Sequence, residues 1–159
     1  MDQTILLWVL SSALPAAVSA QHAKPPKPNF TGTWKANFAK SKLQIRAPES
    51  TVFVIEHNEP RFRLSRTHVF QGQSDTWSIE LTTDGKEVVR KEKERTLYCR
   101  VRWQSDALVF SVRIVLPDGE AHDRVKYVLS PDGKTFTAFE HYRSRTARAD
   151  NVWILEKQK

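Results

Sequence analysis

From Gly32 to Lys157 the chain alternates apolar and polar residues with a period of two, and no other feature restricts its fold as strongly. In TWSIELT, Thr76 to Thr82, the residues Trp77, Ile79 and Leu81 fall on one face. Leu97, Cys99, Val101 and Trp103 share a face in the next clear run, as do Leu108, Phe110, Val112 and Ile114, and then Val125, Tyr127 and Leu129. Such alternation places every second side chain on the same side of an extended chain, which is the signature of a half-buried strand. Asp84-Gly85, Asp118-Gly119 and Asp132-Gly133 each separate two runs. Asp-Gly supplies the positive φ angles of tight hairpins, so antiparallel neighbours in sequence order are expected at all three. The only helical tendency is a turn around Asn37 to Ser41.

An antiparallel meander must hide its edge strands. Full closure achieves this, whereas a two-sheet sandwich needs longer crossovers than the hairpin signals allow. The expected fold is therefore all-β, an antiparallel up-and-down barrel of about 8–10 strands without a substantial C-terminal helix. At this length one domain buries about two thirds of its unfolded surface and needs neither metal nor disulfide.

Residues 1–20 read differently. An apolar run from Ile5 to Leu14, a break at Pro15 and the small residues Val18-Ser19-Ala20 form the pattern of a cleavable signal peptide. Export to a periplasmic or extracellular location is the expectation. Residues 21–29, QHAKPPKPN, form a Pro/Lys-rich leader expected to be flexible, and 30–159 the barrel domain. No later segment is long and apolar enough to span a membrane as a helix. Cys99 is the single cysteine, so no internal disulfide can form. Its position on an apolar face marks a buried, inert thiol. The net charge of +7 favours anionic partners.

Gly32-Thr33-Trp34, with Phe30 before it and Lys35 after it, resembles the Gly-x-Trp signature on the first strand of lipocalins and related calycin barrels. The chain is similar to the lipocalin-like proteins of bacterial envelopes. That resemblance implies that Trp34 plugs the closed end of the barrel beneath an Arg donated from near the last strand. Arg143, Arg145 and Arg148 are the candidates for this partner.

One strand face of a small barrel points inward, so polar residues in register with apolar ones mark a possible binding site. Arg66 and His68 align with Phe62, Leu64 and Phe70. Asp123 aligns with Val125, Tyr127 and Leu129, and Glu140 with Phe136, Ala138 and Tyr142. Apolar walls with a few oriented polar groups are the composition of a ligand pocket. Arg66, His68, Tyr127, Glu140 and Tyr142 are the expected ligand-binding residues, with an anionic ligand end received by Arg66. A bulge between Leu64 and Phe70 would instead turn Arg66 and His68 outward.

The chain carries no G-x-S-x-G elbow, H-E-x-x-H pair, P-loop or G-x-G-x-x-G, and its five His lack ligand spacing. His57 with Glu59, and His122 with Asp123, read as accidental neighbours. No metal, cofactor or enzymatic activity is expected. Arg61, Arg63, Arg100, Arg102, Arg124 and Lys126 alternate outward, a solvated face for which export argues against nucleic acid. The expected function is an exported binding protein that holds a small apolar or amphipathic ligand inside the barrel. The alternative is a filled basic β domain whose outer surface docks to an anionic envelope lipid, polysaccharide or protein.

Overall fold

The structure, a computed structural model, describes Pro26–Lys159. The expected signal peptide and the first part of the leader lie outside the described residues. Ten strands follow one another: β1 (Gly32–Ala36), β2 (Ser50–Asn58), β3 (Arg61–Phe70), β4 (Gln73–Thr82), β5 (Val88–Lys91), β6 (Thr96–Gln104), β7 (Ala107–Leu116), β8 (Gly119–Leu129), β9 (Thr135–Ser144) and β10 (Arg148–Lys157). They form one antiparallel sheet in the order β4-β3-β2-β1-β10-β9-β8-β7-β6-β5. The first and last strands pair in its middle, Trp34 opposite Lys157 and Ala36 opposite Leu155. The sheet curls into a nearly closed barrel whose one unpaired seam lies between β4 and β5. The seam is bridged by a side chain, Arg90 Nη1 donating to the Ser78 carbonyl at 2.6 Å.

The alternation decides which residues fill the interior. On β6, Leu97, Cys99 and Val101 are buried while Arg100 and Arg102 are exposed; on β8, Ala121, Val125 and Tyr127 are buried. Burial lifts the Cys99 thiol to about 11, which keeps it protonated. The pairing of β3 runs unbroken from Arg61 to Val69 with β2 and from Arg61 to Phe70 with β4. No bulge interrupts it, and Arg66 and His68 stay on the inner face.

Two of the three Asp-Gly pairs close hairpins, β7–β8 and β8–β9. Asp84-Gly85 does not. It makes a turn, but the strands on either side of it do not pair, and Asp84 bridges instead to Arg102 of β6. A dipeptide sets local turn geometry and leaves open whether the strands beyond it meet. The β3–β4 hairpin is made by Gln71 and Gly72, at φ 50° and 73°, the left-handed pair that a tight two-residue turn requires.

One end of the barrel is packed shut. Trp34 is fully buried there, edge-on to Phe136 at 4.9 Å, and its indole N–H donates to the Phe30 carbonyl at 2.9 Å. The cation above its ring is Lys157, 5.3 Å from the centroid, and not an Arg. Arg143, Arg145 and Arg148 sit at the opposite end of the β9–β10 hairpin, where Arg143 binds Asp150 at 2.7 Å. Gly32 is what lets Lys157 lie there, since a Cβ on it would come within 2.7 Å of the Lys157 side chain.

His57 and Glu59 belong to this closed end, and their proximity is not accidental. His57 Nδ1 accepts from the Phe30 amide at 3.3 Å, and Nε2 meets Glu59 at 2.8 Å. Glu59 also accepts from the Trp103 indole at 2.7 Å and from the Thr83 hydroxyl. Burial raises the Glu59 carboxyl, but hydrogen bonds from Thr83, His57 and Trp103 outweigh it and hold the group below its ordinary value. From the leader, Lys27 lies 5.1 Å over the Trp103 ring and donates to the Ser105 carbonyl.

Candidate functional site

Above the Trp34 plug the interior leaves a narrow cavity of about 50 Å³. Phe53 and Leu64 on one side, Phe110, Val125 and Tyr127 on the other, and Ala138 with Trp153 make the apolar wall. A second lobe of about 100 Å³ continues from it past Leu97, Val112 and Ile114 toward Arg95. Arg66, Trp77, Phe110 and Asp123 line both lobes and mark their junction.

Period two brings the polar groups inward. Arg66 and His68 sit two residues apart on β3, Asp123 and Tyr127 four apart on β8, and Glu140 lies on β9 opposite Val125. Four of the five expected ligand residues, Arg66, His68, Tyr127 and Glu140, therefore line one cavity. Tyr142 does not join them. It shares their strand face, but it stands next to the Ser144–Ala147 turn and lines a separate cleft with Leu116, Glu120 and Arg145. Asp123 and Trp77 complete the lining; parity alone already aimed Asp123 inward, and Trp77 shared the face of Ile79 and Leu81.

Each polar group has a distinct environment. Glu140 Oε2 accepts from the Asn151 amide at 2.7 Å and the Trp153 indole at 2.8 Å, so its position is fixed from β10. His68 shares a 2.7 Å hydrogen bond with the buried Thr51 hydroxyl and stacks on Trp153 at 5.9 Å. Burial, followed by the positive charge of Arg66, drives His68 down to about 4 against the pull of Asp75, leaving the ring uncharged at neutral pH. Burial pushes the Tyr127 hydroxyl up, and Asp123 adds to that. Asp123 itself is raised to about 7, first by burial and then by Glu140, with Arg66 opposing.

Arg66 reaches Asp75 at 4.0 Å with one end of its guanidinium and lies 6.0 Å over the Trp77 ring. Arg90 covers Trp77 at 5.7 Å, so the indole stands between two cations beside the β4–β5 seam. Among the described residues, Arg66 Nε and Asp123 Oδ1 are buried without a hydrogen-bond partner. Buried polar groups nearly always find partners, so these two atoms call for a water or a guest molecule in the cavity. Among the described residues no group of three or more His, Cys, Asp or Glu side chains is placed to hold a metal ion.

The architecture recurs in solved structures. A secretory abundant heat soluble protein from Ramazzottius varieornatus superposes with a TM-score of 0.56 at 13% identity, covering 86% of this chain and 99% of that one. Zebrafish ileal bile acid-binding protein, complexed with cholic acid, gives 0.50 at 14% identity over 81% and 98%. A Schistosoma mansoni fatty acid binding protein in complex with arachidonic acid gives 0.50 at 12% identity over 82% and 96%. The fold is a calycin-type β-barrel. No protein-family model matches the chain, and no curated protein matches it in sequence. At these identities the likeness describes the fold, and the calycin barrel of this chain has its own polar lining.

Proposed function

We propose that this protein is exported and that its barrel holds one slender, mainly apolar or amphipathic molecule, without chemistry on it. The observation that carries this reading is the pair of buried atoms, Arg66 Nε and Asp123 Oδ1, left without partners at the junction of an apolar cavity. Leaving a buried polar group unpaired costs about 1–3 kcal/mol, so a ligand that satisfies both atoms recovers a sizeable free energy beyond the burial of its apolar part. The structures of two neighbours hold cholic acid and arachidonic acid, which supports a small lipid as guest. Export is supported by the pattern of residues 1–20.

Titration with an apolar dye that fluoresces on leaving water tests the reading. Saturable binding to one site is expected, lost in Ala138→Trp, which fills the cavity from β9. Equal binding by that variant would remove the interior from the function. Mass spectrometry of the intact protein from its own source should then show a retained small molecule.

A second reading rests on the outer face. Arg100 and Arg102 of β6 and Arg124 and Lys126 of β8 flank β7 in register, Arg100 and Arg124 both beside Ser111, and Arg102 and Lys126 both beside Val109. An anionic envelope surface would bind this cluster, and sedimentation with anionic vesicles would fall steeply as salt is raised.

A further inference from the structure

Arg66 and Asp123 enter the cavity from β3 and β8, on opposite sides of the barrel wall. Arg66 Nε can only donate, while the ionised Asp123 carboxylate can only accept. One group can satisfy both only if it accepts from the first and donates to the second. A ligand carboxylate accepts from Arg66, but it has no proton for Asp123 and adds negative charge beside Asp123 and Glu140. We infer, resting on the barrel-binding reading above, that the polar end of the ligand is an uncharged donor–acceptor group such as an alcohol hydroxyl, held between Arg66 Nε and Asp123 Oδ1, and that ionised carboxylates are disfavoured.

The surroundings of Asp123 favour the same polarity. From β3 it faces Arg66 and the uncharged His68; from β9, Glu140 and its register neighbour Tyr142; from its own strand, Tyr127; from β6, behind Val112, the protonated Cys99. Arg66 is already shared with Asp75, and Arg95, at the far lobe, is paired with Glu92 at 2.6 Å. Glu92 also pairs with Arg90 at 3.2 Å, so each cation near the junction already has a carboxylate neighbour, one of them shared. Trp77 and Phe110 also meet edge to face at the junction, ring centres 6.1 Å apart, so the space beside them suits a hydroxyl better than a bulky head.

Protonation provides a second signature. With Asp123 raised to about 7, a carboxylate enters most easily when Asp123 takes up one proton. Its affinity should then rise about tenfold between pH 8 and pH 6, most of the gain lying above pH 7. The alcohol, which donates to Asp123, should show no such gain.

Calorimetric titration of the full chain with decan-1-ol and with decanoate, at pH 8 and pH 6, tests this. Decan-1-ol is expected to bind at least about tenfold tighter at pH 8, with decanoate closing the gap at pH 6. Asp123→Asn should strengthen decanoate binding at pH 8 and remove its pH dependence, while the alcohol still binds. If that variant does not fold, the pH series on the unaltered protein decides alone. Decanoate binding at pH 8 as tight as the alcohol, or unchanged between the two pH values, overturns the inference and leaves the barrel reading standing. Binding of neither probe overturns the barrel reading and this inference with it.

Discussion

Asp123→Asn should stabilise the protein above neutral pH by an amount the structure sets. In the folded chain this carboxyl is raised to about 7 from an ordinary 3.8. Between those values the unfolded chain has released the proton and the folded chain still holds it. The folded state thus binds more protons, so stability falls as pH rises through this window and is level above it. The gap of about three pH units, at about 1.4 kcal/mol each, sets a ceiling of about 4 kcal/mol. Residual solvent contact reduces this, and about 2–4 kcal/mol is the expected loss. Asn keeps the shape and an acceptor oxygen but carries no charge at any pH. Urea or thermal unfolding of both proteins at pH 5, 6, 7 and 8 isolates the contribution of this one group, because every other titrating residue is common to the pair. At pH 8 the Asn variant should melt roughly 10 °C higher, and the difference should shrink toward pH 5. Equal stability at pH 8, or a difference that does not vary with pH, would refute the claim that a desolvated charge sits at the cavity junction.

Three further outcomes follow from other parts of the barrel. Gly32→Ala should cost about 1–3 kcal/mol, because φ is +148° there, and most of this should persist in a Lys157→Ala background measured by the same unfolding assay. Full recovery in that background would mean the cost is steric contact with Lys157 alone. Cys99, buried and raised to about 11, should react with a bulky disulfide reagent at least about a hundredfold more slowly in native protein than in urea. Arg90→Ala removes the bridge to Ser78 across the seam, so amide exchange in β4 and β5 should quicken while that of β1 and β10 stays unchanged.

The period-two pattern reached further than the turn signals did. It placed Arg66, His68, Asp123, Tyr127 and Glu140 inward because a strand without bulges preserves parity along its length, and β3, β8 and β9 have none between these residues. Parity carries no information about height, which is why Tyr142, on the correct face of β9, ends beside the rim turn instead of in the cavity. Asp84-Gly85 misled for a related reason: turn chemistry is local, whereas the seam is a property of ten strands closing on themselves. The His57–Glu59 network was hidden because its meaning depends on Trp103, some 44 residues away in sequence. The cation over Trp34 was sought among Arg residues at the wrong end of β10, while Lys157 stands beside the plug through the β1–β10 register.

The meeting of β1 and β10 in the middle of the sheet has a consequence for how the chain assembles. Every other ladder joins strands adjacent in sequence, so this single pairing is the one that must bring the two ends of the domain together. Joining Lys159 to Asn29 through a linker, which keeps Phe30 in the core, and cutting between Asp84 and Gly85 would reorder the chain; Gln158 already donates to the Thr33 carbonyl at 2.8 Å. The permuted protein would run from one lip of the seam to the other as an unbroken series of sequential neighbours. Its barrel would be the same, its mean contact separation shorter, and its folding correspondingly faster.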